Sequence, residues 1–400
     1  MKNRKVIVGV TGGIAAYKTA ELVRLLLKEK AHVRVAMTEN AARFVAPLTF
    51  EALSGSPVIQ DMWQHGRSMD HIFWGQESDL IIIAPATANF LAKLAHGIGD
   101  DFLSTLLIAA TARILICPSM NDQMFLNPIV QDNLRLLKER GMAVMQPGEG
   151  PLACRTSGPG RLPEPEDILE YAGCLLTEQN LSGLRILVTA GPTVEPIDPV
   201  RFISNRSSGK MGYALARAAR RRGAKVTLVS GPCSQTPPYG VAFLPVKTAE
   251  DMRRAVLENQ SETDILIKAA AVCDFRPKTV QAQKIKKGSG APVLKLVKNP
   301  DILTELGEMR ANRACLLVGF AAETEEIIAH AEEKLKKKHL DMIVANDVSR
   351  KDAGFESDTN MVKVLYKGGR IEETPLMKKT EVADLVLDRA KALWSERFGN

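Results

Sequence analysis

The sequence predicts an α/β fold with two domains, each built on a mainly parallel sheet. Its 400 residues exceed the usual size of one domain. Short apolar runs alternate with amphipathic helical patterns in both halves, as in parallel sheets that helices cover on both faces. A polar stretch at 179–183 separates the halves, so we predict one domain over residues 1–180 and a second over residues 181–400.

The overall charge favours small anionic partners. The chain carries 53 Lys and Arg against 46 Asp and Glu, which gives a formal net charge of +7. The basic residues are not interleaved with aromatic ones, as in proteins that bind single strands, so we expect phosphorylated metabolites and no nucleic acid. No apolar run approaches membrane-spanning length, and the N-terminal stretch has no signal-peptide cleavage pattern. We therefore expect a cytoplasmic protein without a membrane partner.

The cysteines predict neither a disulfide framework nor a zinc site. Six of them are spread along the chain, and no two form a Cys-x-x-Cys pair. A cysteine that takes part in chemistry here is therefore expected to act as a lone thiol.

The first half begins with a strand, a glycine turn and a helix. Strands are predicted at 6–10, 33–37, 80–84, 114–117 and 143–145, with a helix at 17–28. The first turn contains Gly12, Gly13, Ile14 and Ala15, and Thr38 follows the second strand. The glycines do not form G-x-G-x-x-G, and no acidic residue follows the second strand where a ribose partner is expected. These features disfavour a dinucleotide and favour the phosphate of a mononucleotide.

Small and polar residues follow two later strands and leave room for a planar ring to approach the backbone. After the strand at 80–84 they are Ala84, Pro85, Ala86, Thr87 and Asn89. After the strand at 114–117 they are Ser119, Met120 and Asn121, which places an amide at the same edge. Because ligands bind at the carboxyl ends of parallel strands, both stretches are candidates for one crevice.

Two reactive side chains of the first half are ambiguous on their own. His71 precedes the strand at 80–84, and a lone histidine is more often structural than catalytic. Cys154 lies in a polar, glycine-rich stretch that ends at Arg161 and is equally typical of a flexible linker.

Taken together, these motifs resemble the homo-oligomeric flavin-containing cysteine decarboxylases. The resemblance covers nearly all of residues 1–175 in the family's order: TGGIAAYK, HI after a polar run, APATANFLAKLAHGIGDD, PSMN and ACxxxGPGR. It implies a flavodoxin-like, Rossmann-type flavin domain in which the small residues named above bind FMN. It also implies catalytic roles for His71, Asn121 and Cys154, and a substrate contact for Arg161.

The same resemblance implies a reaction. Flavin oxidises the thiol side of the substrate to a thioaldehyde, the adjacent carboxylate leaves as carbon dioxide, and the reduced flavin then reduces the enethiol. His71 is expected in the oxidation and decarboxylation half, Asn121 on the substrate carboxylate, and Cys154 as the proton donor on a flap. The family often has Gly after the flap cysteine, whereas this chain has Arg155.

The second half is organised around the stretch 189–212, TAGPTVEPIDPVRFISNRSSGKMG. It follows an apolar run and leads into a helical pattern, so its backbone N–H groups and the helix start favour an anion. The basic residues Arg201, Arg206 and Lys210 add charge, while Asn205, Ser207, Ser208 and Gly209 complete the stretch. The alternative is a surface connection with solvated basic residues.

Further strands and three polar stretches follow. Strands are predicted at 185–189, 226–230, 241–246, 265–270, 316–320 and 342–345. Ala270, Ala271 and Asp274 follow one of them, and the basic cluster at 284–287 begins with Lys284. A second lysine-rich stretch contains Lys334 and Lys338, although such clusters are usually only solvated.

These stretches together resemble phosphopantothenate–cysteine ligase over residues 184–400. The motifs are DPVRFISNRSSGKMG, AAAVCDFRP, KIKK, VKNPDIL, VGFAAET and DMIVANDVS. The resemblance implies a second Rossmann-like α/β domain that uses CTP to activate 4′-phosphopantothenate as an acyl-cytidylate, which the amine of cysteine then opens. It implies that Asn205 and Lys284 are catalytic, that Asp274 holds Mg²⁺, and that the remaining residues bind substrate: Arg201, Ser207, Ser208, Gly209, Lys210, Ala270, Ala271, Phe320, Lys334 and Lys338.

The fused pair resembles the bacterial bifunctional enzymes of coenzyme A biosynthesis. This resemblance implies a homo-oligomer, a dodecamer built from trimeric flavin domains and dimeric ligase domains, with flavin sites between subunits. Three other functions stay open from the residues alone: a nicotinamide-dependent oxidoreductase, a flavin- or nucleotide-binding protein, and a peptide-modifying flavin decarboxylase. The absent dinucleotide fingerprint argues against the first, and the ligase-like half argues against the last.

Overall fold

The chain forms two compact units in a computed structural model, Met1–Thr177 and Glu178–Asn400. The structure describes residues 1–63, 69–151, 157–286, 293–309, 315–323, 325–347 and 357–399. Within these ranges no helix is long and apolar enough to cross a membrane.

The first unit alternates strands and helices along the chain. Among its described residues the elements are β1 (Lys5–Val10), α1 (Ala16–Lys28), β2 (His32–Met37), a 3₁₀ turn (Ala41–Arg43), α2 (Pro47–Ser54), α3 (Asp70–Glu77), β3 (Leu80–Ala86), α4 (Ala88–His96), α5 (Phe102–Ala109), β4 (Arg113–Pro118), α6 (Asp122–Leu126), α7 (Pro128–Glu139), β5 (Ala143–Val144), β6 (Gly148–Pro151), β7 (Ser157–Arg161) and α8 (Pro165–Leu176).

The sheet of the first unit is parallel and has the strand order β2-β1-β3-β4-β5. Every residue of β3 is buried, as expected for a central strand that helices cover on both faces. The order is that of flavodoxin-like sheets, in which the direction of winding reverses between the first and third strands. A ligand crevice is therefore expected beyond the carboxyl ends of β1 and β3.

The second unit contains more strands and two long helices on one face of its sheet. Its described elements are β8 (Arg185–Ala190), β9 (Val194–Pro196), β10 (Phe202–Ser204), α9 (Lys210–Arg221), β11 (Lys225–Ser230), β12 (Ala242–Pro245), α10 (Ala249–Asn259), a 3₁₀ turn (Gln260–Glu262), β13 (Ile265–Lys268), β14 (Phe275–Pro277), β15 (Leu296–Lys298), α11 (Ile302–Glu308), β16 (Leu316–Glu323), α12 (Ile327–Lys337), β17 (Met342–Asp347), β18 (Thr359–Asn360), β19 (Val362–Tyr366), β20 (Ile371–Glu373), β21 (Met377–Lys378) and α13 (Lys379–Phe398).

The main sheet of the second unit has the order β12-β11-β8-β13-β16-β17-β19-β20. The first six strands in this order are parallel, and β19 and β20 add an antiparallel edge. Numbered along the chain, the six parallel strands follow 3-2-1-4-5-6, the order of Rossmann folds. The reversal lies between β8 and β13.

Alternating side chains of the central strands face two separate apolar layers. Ile265 and Ile267 of β13 pack in the layer with α9 and α13, whereas Leu266 packs in the layer with α11 and α12. Helix α9 approaches β8 closely, because a Cβ atom on Gly212 would lie 2.5 Å from the Cβ of Ala190.

The predicted α/β class with mainly parallel sheets is confirmed, and the predicted strands all occur near their expected positions. The short antiparallel elements were not predicted. The stretch 189–212 holds the β9–β10 hairpin, and the stretch 153–161, expected to be a loop, contains β7, which pairs with β6 before it. These strands have three to five residues and carry no periodic apolar pattern, so composition alone indicated loops.

Candidate active sites

A cavity of about 1050 Å³ opens beyond the carboxyl ends of β1 and β3, where the winding of the first sheet reverses. Among the residues predicted to bind a cofactor, nine line it: Gly12, Gly13, Ile14, Ala15, Thr38, Thr87, Asn89, Ser119 and Met120. Asn121 and Arg161 also line it. The structure thus gathers the glycine turn and both stretches of small polar residues around one space.

A buried threonine connects the two strand ends at this cavity. The Thr11 hydroxyl donates to the carbonyl of Pro85 at 2.7 Å and accepts the backbone N–H of Thr87 at 3.1 Å. Thr87 in turn begins α4, where its hydroxyl accepts the N–H of Phe90. These bonds fix the glycine turn relative to the polar end of β3.

Three residues of the predicted cofactor set are not among those that line the cavity. Ala84, Pro85 and Ala86 are buried within β3, with the Ala84 carbonyl accepting a hydrogen bond from Thr19 at 2.7 Å. The expectation that their small size lets a planar ring approach the backbone stays a prediction. The Pro85 carbonyl accepts the Thr11 hydroxyl, which joins this strand end to the glycine turn that does line the cavity.

Asn121 stands at the cavity with its amide already oriented. Its Oδ1 accepts the N–H of Gln123 at 2.9 Å and so caps α6, and its Nδ2 donates to Asp122 Oδ1 at 2.8 Å. The carboxylate of Asp122 therefore fixes which side of the amide holds the donor. An amide nitrogen carries two N–H groups, so Nδ2 can donate to Asp122 and to one further acceptor.

The β6–β7 hairpin lies against the Asn121 segment. The N–H of Met120 donates to the carbonyl of Gly160 at 2.9 Å. Gly160 has φ of 139° and a Cβ there would lie 2.2 Å from the Met120 carbonyl oxygen, so only glycine fits this contact. Cys154 and Arg155 belong to residues 152–156 and lie outside the described residues.

Arg161 at the end of β7 contributes to a small charged group at the cavity. Its guanidinium lies 3.6 Å from Glu164, and Lys18 contacts the same carboxylate at 2.9 Å. Lys18 and Arg161 therefore share one acid among the residues at the cavity.

His71 does not line the cavity of its own chain. It lies on α3, partly buried, and its Nδ1 is buried without a hydrogen-bond partner in the described part of the chain. A buried ring nitrogen without a partner is unusual for a purely structural histidine.

The second candidate site lies where the winding of the second sheet reverses, between β8 and β13. Backbone bonds join the two strand ends: the Ala271 N–H donates to the Gly191 carbonyl at 2.9 Å, and the Thr193 N–H donates to the Ala271 carbonyl at 3.3 Å. The exposed Asn205, directly after β10, donates from Nδ2 to the carbonyls of Ala271 and Val272 at 3.2 and 3.1 Å. The structure therefore brings Asn205 to the predicted Ala270–Ala271 segment.

Arg201 and Lys284 are also brought close together, although not by a direct contact. Arg201 donates to the carboxylate of Asp198 from Nε at 3.0 Å and from Nη2 at 2.6 Å. The same Nη2 donates to the carbonyl of Ile285 at 2.8 Å, and Ile285 directly follows the exposed Lys284.

The polar residues before α9 form the expected helix start. Gly209 takes the left-handed conformation with φ of 75°, and the hydroxyl of Ser207 accepts its N–H at 3.4 Å, next to Ser208. Lys210 opens the helix and contacts Asp358 at 2.6 Å. Lys210 thus has a carboxylate partner from a distant segment of the same unit, which the sequence did not indicate.

A second group of charges lies on the other side of the β13 end. Lys338 contacts Asp301 at 2.8 Å, and the Asp301 carboxylate also caps α11 through the N–H groups of Leu303 and Thr304. Lys268, the last residue of β13, lies in the electrostatic field of Lys338, Asp301, Asp274 and Lys334. The charges of the predicted Lys334, Lys338 and Asp274 thus act on a lysine that the sequence analysis did not single out.

Lys268 is the one charged residue of the strand predicted at 265–270, and this was the signal that could have identified it. The residue keeps some exposed surface, but protein surrounds its ammonium group. Burial, followed by the positive charge of Lys338, lowers the pKa of Lys268 to about 8. An anion bound at this strand end would restore a favourable environment for its charge.

The remaining predicted residues lie on the same sheet edge or within its strands. Phe320 is partly buried in β16, one residue beyond the Gly319 that pairs with Lys268, and it packs against the apolar layer on the α9 side. Asp274 is exposed in the loop after β13. Within the described ranges, no group of three or more His, Cys, Asp or Glu side chains is arranged to hold a metal ion.

Comparisons with known protein families match the two units separately. The family model described as Flavoprotein matches residues 1–175, and the model described as the DNA/pantothenate metabolism flavoprotein C-terminal domain matches residues 181–393.

Curated relatives match over almost the whole chain. The chain is 49% identical over 399 residues to the coenzyme A biosynthesis bifunctional protein CoaBC of Bacillus subtilis (strain 168), with 98% of both chains covered. It is 44% identical over 404 residues to the protein of the same name from Escherichia coli (strain K12), with 99% of both covered. Among solved structures, the C-terminal domain of a coenzyme A biosynthesis bifunctional protein CoaBC is 44% identical, covers 54% of this chain and 99% of its own, and has a TM-score of 0.47.

The glycine turn at the first cavity supplies a first test of the structure. A Cβ at Gly12 would lie 2.5 Å from the Cβ of Asn40 and 3.0 Å from its backbone, whereas a Cβ at Gly13 would meet nothing closer than 3.5 Å. We expect Gly12→Ala to lower the free energy of unfolding by about 1–3 kcal/mol, the usual cost of overpacking. Gly13→Ala is the matched control and should cost less. Urea unfolding of flavin-free protein measures both, and equal losses would contradict the described turn.

The lowered pKa of Lys268 predicts a pH-dependent stability. Its pKa is about 8 in the folded chain and roughly 10.4 when unfolded, so the folded state holds this proton more weakly. The contribution of Lys268 to stability therefore rises between pH 8 and pH 10. We expect the stability of Lys268→Met relative to the unsubstituted protein to be greatest at pH 7 and to fall toward pH 10 in urea unfolding. Lys336→Met, on the exposed side of α12, is the matched control; a constant difference for Lys268→Met would contradict the assigned environment.

Proposed function

Because this chain belongs to the family of bifunctional coenzyme A biosynthesis proteins, we propose that it carries out two consecutive reactions on 4′-phosphopantothenate. The first joins 4′-phosphopantothenate to cysteine, and the second decarboxylates 4′-phosphopantothenoylcysteine to 4′-phosphopantetheine and carbon dioxide. The observation that carries this proposal is the match of both family models on one chain, each over a unit with its own site at a strand-order reversal.

The first cavity fits a flavin mononucleotide. Its volume of about 1050 Å³ exceeds what a flavin ring and a ribityl phosphate require, and it is lined by small side chains and the start of α1. The backbone N–H groups that follow the Gly12–Gly13 turn, at the start of α1, would hold the phosphate, while Thr87, Ser119 and Met120 would border the ring. Bound FMN supplies two-electron oxidation of the substrate thiol and its later reversal.

The residues of the first unit hold and protonate the substrate. The Nδ2 group of Asn121, directed by Asp122, binds the carboxylate that leaves as carbon dioxide. Arg161 adds positive charge at the same cavity. His71 moves a proton at the substrate, and Cys154, which follows β6 in the chain, donates a proton in the last step.

Completion of this site by another subunit explains two observations. His71 does not line its own chain's cavity and keeps a buried nitrogen without a described partner. Ile14, Tyr17 and Met124 line the cavity but are 61%, 61% and 48% exposed. We infer a trimer of first units in which His71 reaches a neighbour's cavity, within a cytoplasmic dodecamer that also contains dimers of the second unit.

The second unit activates a carboxylate with CTP. The carboxylate of 4′-phosphopantothenate attacks the α-phosphorus of CTP, pyrophosphate leaves, and the amine of cysteine then displaces CMP from the acyl-cytidylate. The small residues Ala270 and Ala271 and the nearby Phe320 border the base. Lys334, Lys338 and Lys268 supply positive charge for the triphosphate.

Two side chains would act on the acyl-cytidylate itself. Lys284 neutralises the charge that develops as pyrophosphate leaves. Asn205, held to the loop after β13, binds the acyl group beside the residues 207–210 at the start of α9. Arg201 would hold phosphate near the same loop.

Magnesium would be held mainly by phosphate oxygens. No cluster of three potential protein ligands occurs in the described part of the chain, so Asp274 would act as one carboxylate ligand beside the triphosphate. This is the usual arrangement, because Mg²⁺ at nucleotide sites keeps waters and takes one or two carboxylates.

The proposed function is tested by mass spectrometry of the products. Purified protein with FMN is given 4′-phosphopantothenate, cysteine, CTP and Mg²⁺, with a control that lacks CTP. We expect 4′-phosphopantetheine to form only with CTP. Accumulation of 4′-phosphopantothenoylcysteine alone would show ligation without decarboxylation, and no new mass would favour a flavin- or nucleotide-binding protein instead.

The assignment of ligation to the second unit and decarboxylation to the first makes a separate prediction. Lys284→Gln removes the cation expected to stabilise the departing pyrophosphate, so formation of 4′-phosphopantothenoylcysteine should fall by at least about 100-fold. Decarboxylation of supplied 4′-phosphopantothenoylcysteine should keep its rate. Lys278→Gln, an exposed lysine in the same connection between β14 and β15, is the matched control. Loss of decarboxylation in Lys284→Gln would contradict the assignment of one reaction to each unit.

A further inference from the structure

Asp198 is a buried carboxylate at the turn between β9 and β10. Its residue surface is only 3% exposed. Its Oδ1 accepts the backbone N–H groups of Val200 and Arg201, both at 2.8 Å. These two bonds close the turn in the manner common for aspartate, and they use only one of its two oxygens.

The second oxygen of Asp198 reaches a distant part of the chain. Oδ2 accepts the backbone N–H of Ile285 at 3.1 Å, together with Nε and Nη2 of Arg201. The Arg201 guanidinium also donates to the carbonyl of Ile285 at 2.8 Å. Asp198 and Arg201 therefore hold both backbone polar groups of Ile285, an arrangement we call the Ile285 clamp.

The Ile285 clamp is the main described attachment of the Lys284 segment. Residues 281–286 are all exposed, so the apolar core does not fix them. One further bond runs from the Gln281 N–H to the Ile197 carbonyl at 2.9 Å, which ends at the same turn. The position of Lys284, one residue before Ile285, thus depends on the turn that Asp198 closes.

The carboxylate of Asp198 is suited to this task because it stays charged. Burial alone would raise its pKa, but the N–H groups of Val200, Ile285 and Arg201 and the Arg201 side chain outweigh burial and lower the pKa. A buried carboxylate with this many donors forms strong, directional bonds.

We propose that Asp198 is a positioning residue of the second site, which acts through the Ile285 clamp to fix Lys284 where charge develops on the departing pyrophosphate. The inference rests on the ligase function proposed above for the second unit. It adds a residue that touches no substrate and that connects the β9–β10 turn to the lysine segment 87 residues later.

Asp198→Asn distinguishes the roles of the two carboxylate oxygens. The amide oxygen still accepts the N–H groups of Val200 and Arg201, so the turn keeps its bonds. The amide nitrogen in place of Oδ2 is a donor and cannot accept from Ile285 or Arg201. The substitution therefore releases the Ile285 clamp and retains the turn.

A matched control exists at the opposite end of the same sheet. Asp264 accepts the backbone N–H of Arg185 at 2.8 Å and its guanidinium at 3.3 and 3.1 Å, the same kind of carboxylate–arginine pair. It lies before β13, away from the carboxyl strand ends that form the site. Asp264→Asn thus makes the same chemical change without contact with the lysine segment.

The experiment uses the full chain with FMN and measures two quantities. The first is single-turnover release of pyrophosphate from saturating CTP and 4′-phosphopantothenate. We expect Asp198→Asn to slow it by about tenfold or more, and Asp264→Asn by less than about twofold. The second is peptide-resolved hydrogen exchange, where the peptide containing Ile285 should exchange faster in Asp198→Asn only, with β8 and β13 unchanged.

The outcomes separate this inference from the proposed function. An unchanged pyrophosphate rate in Asp198→Asn, or faster exchange throughout β8 and β13, would overturn the positioning role. If the unsubstituted protein releases no pyrophosphate, the ligase function fails and the positioning role fails with it. In that case exchange at Ile285 still shows whether the described clamp exists.

Discussion

The reversal of strand order in each parallel sheet is the constraint on which both sites depend. At a reversal the chains leaving two neighbouring strands run to opposite faces, which opens a crevice and exposes their last backbone groups. In the first unit the Thr11 hydroxyl bridges this gap between β1 and β3. In the second unit backbone bonds from Ala271 and Thr193 do so between β8 and β13. The polar residues that follow are therefore held by the ends of the sheet rather than by loops alone.

The two crevices differ in the surroundings of their cations, and the difference fits their proposed chemistry. The first is lined by small residues and an oriented amide, and its cations are paired with acids: Lys18 and Arg161 with Glu164, and Lys93 with Asp100. The second gathers lysines around the end of β13, where burial disfavours the charge of Lys268. A lysine that is poorly solvated when the site is empty gains a favourable charge interaction when a triphosphate binds. Because little water has to be removed from such a lysine, less of that interaction is lost to desolvation.

The sequence predicted the elements with strong periodicity and the residues that belong to motifs. Central strands such as β3 are apolar at every position and were located from that pattern. The hairpins β6–β7 and β9–β10 were not, because glycine and proline positions carry no periodic signal and their pairing depends on contacts such as Gly160 with Met120. Asn121 and Asn205 were identified by motif, whereas their orientation by Asp122 and by the Ala271 carbonyl required the fold.

Long-range polar contacts were the part that sequence could not supply. Lys210 was expected to hold substrate, yet its carboxylate partner Asp358 lies 148 residues away. Asp198 begins the motif DPVRFISNRSSGKMG, but the sequence analysis assigned it no role, since an aspartate between two prolines is an ordinary turn residue. Oδ1 of Asp198 closes the turn, and Oδ2 is left to accept from Ile285. The fold alone shows this second contact, because it brings the lysine segment back to the turn. A motif can therefore contain both the groups that react and the groups that hold them in place, and only the contacts in the fold tell the two apart.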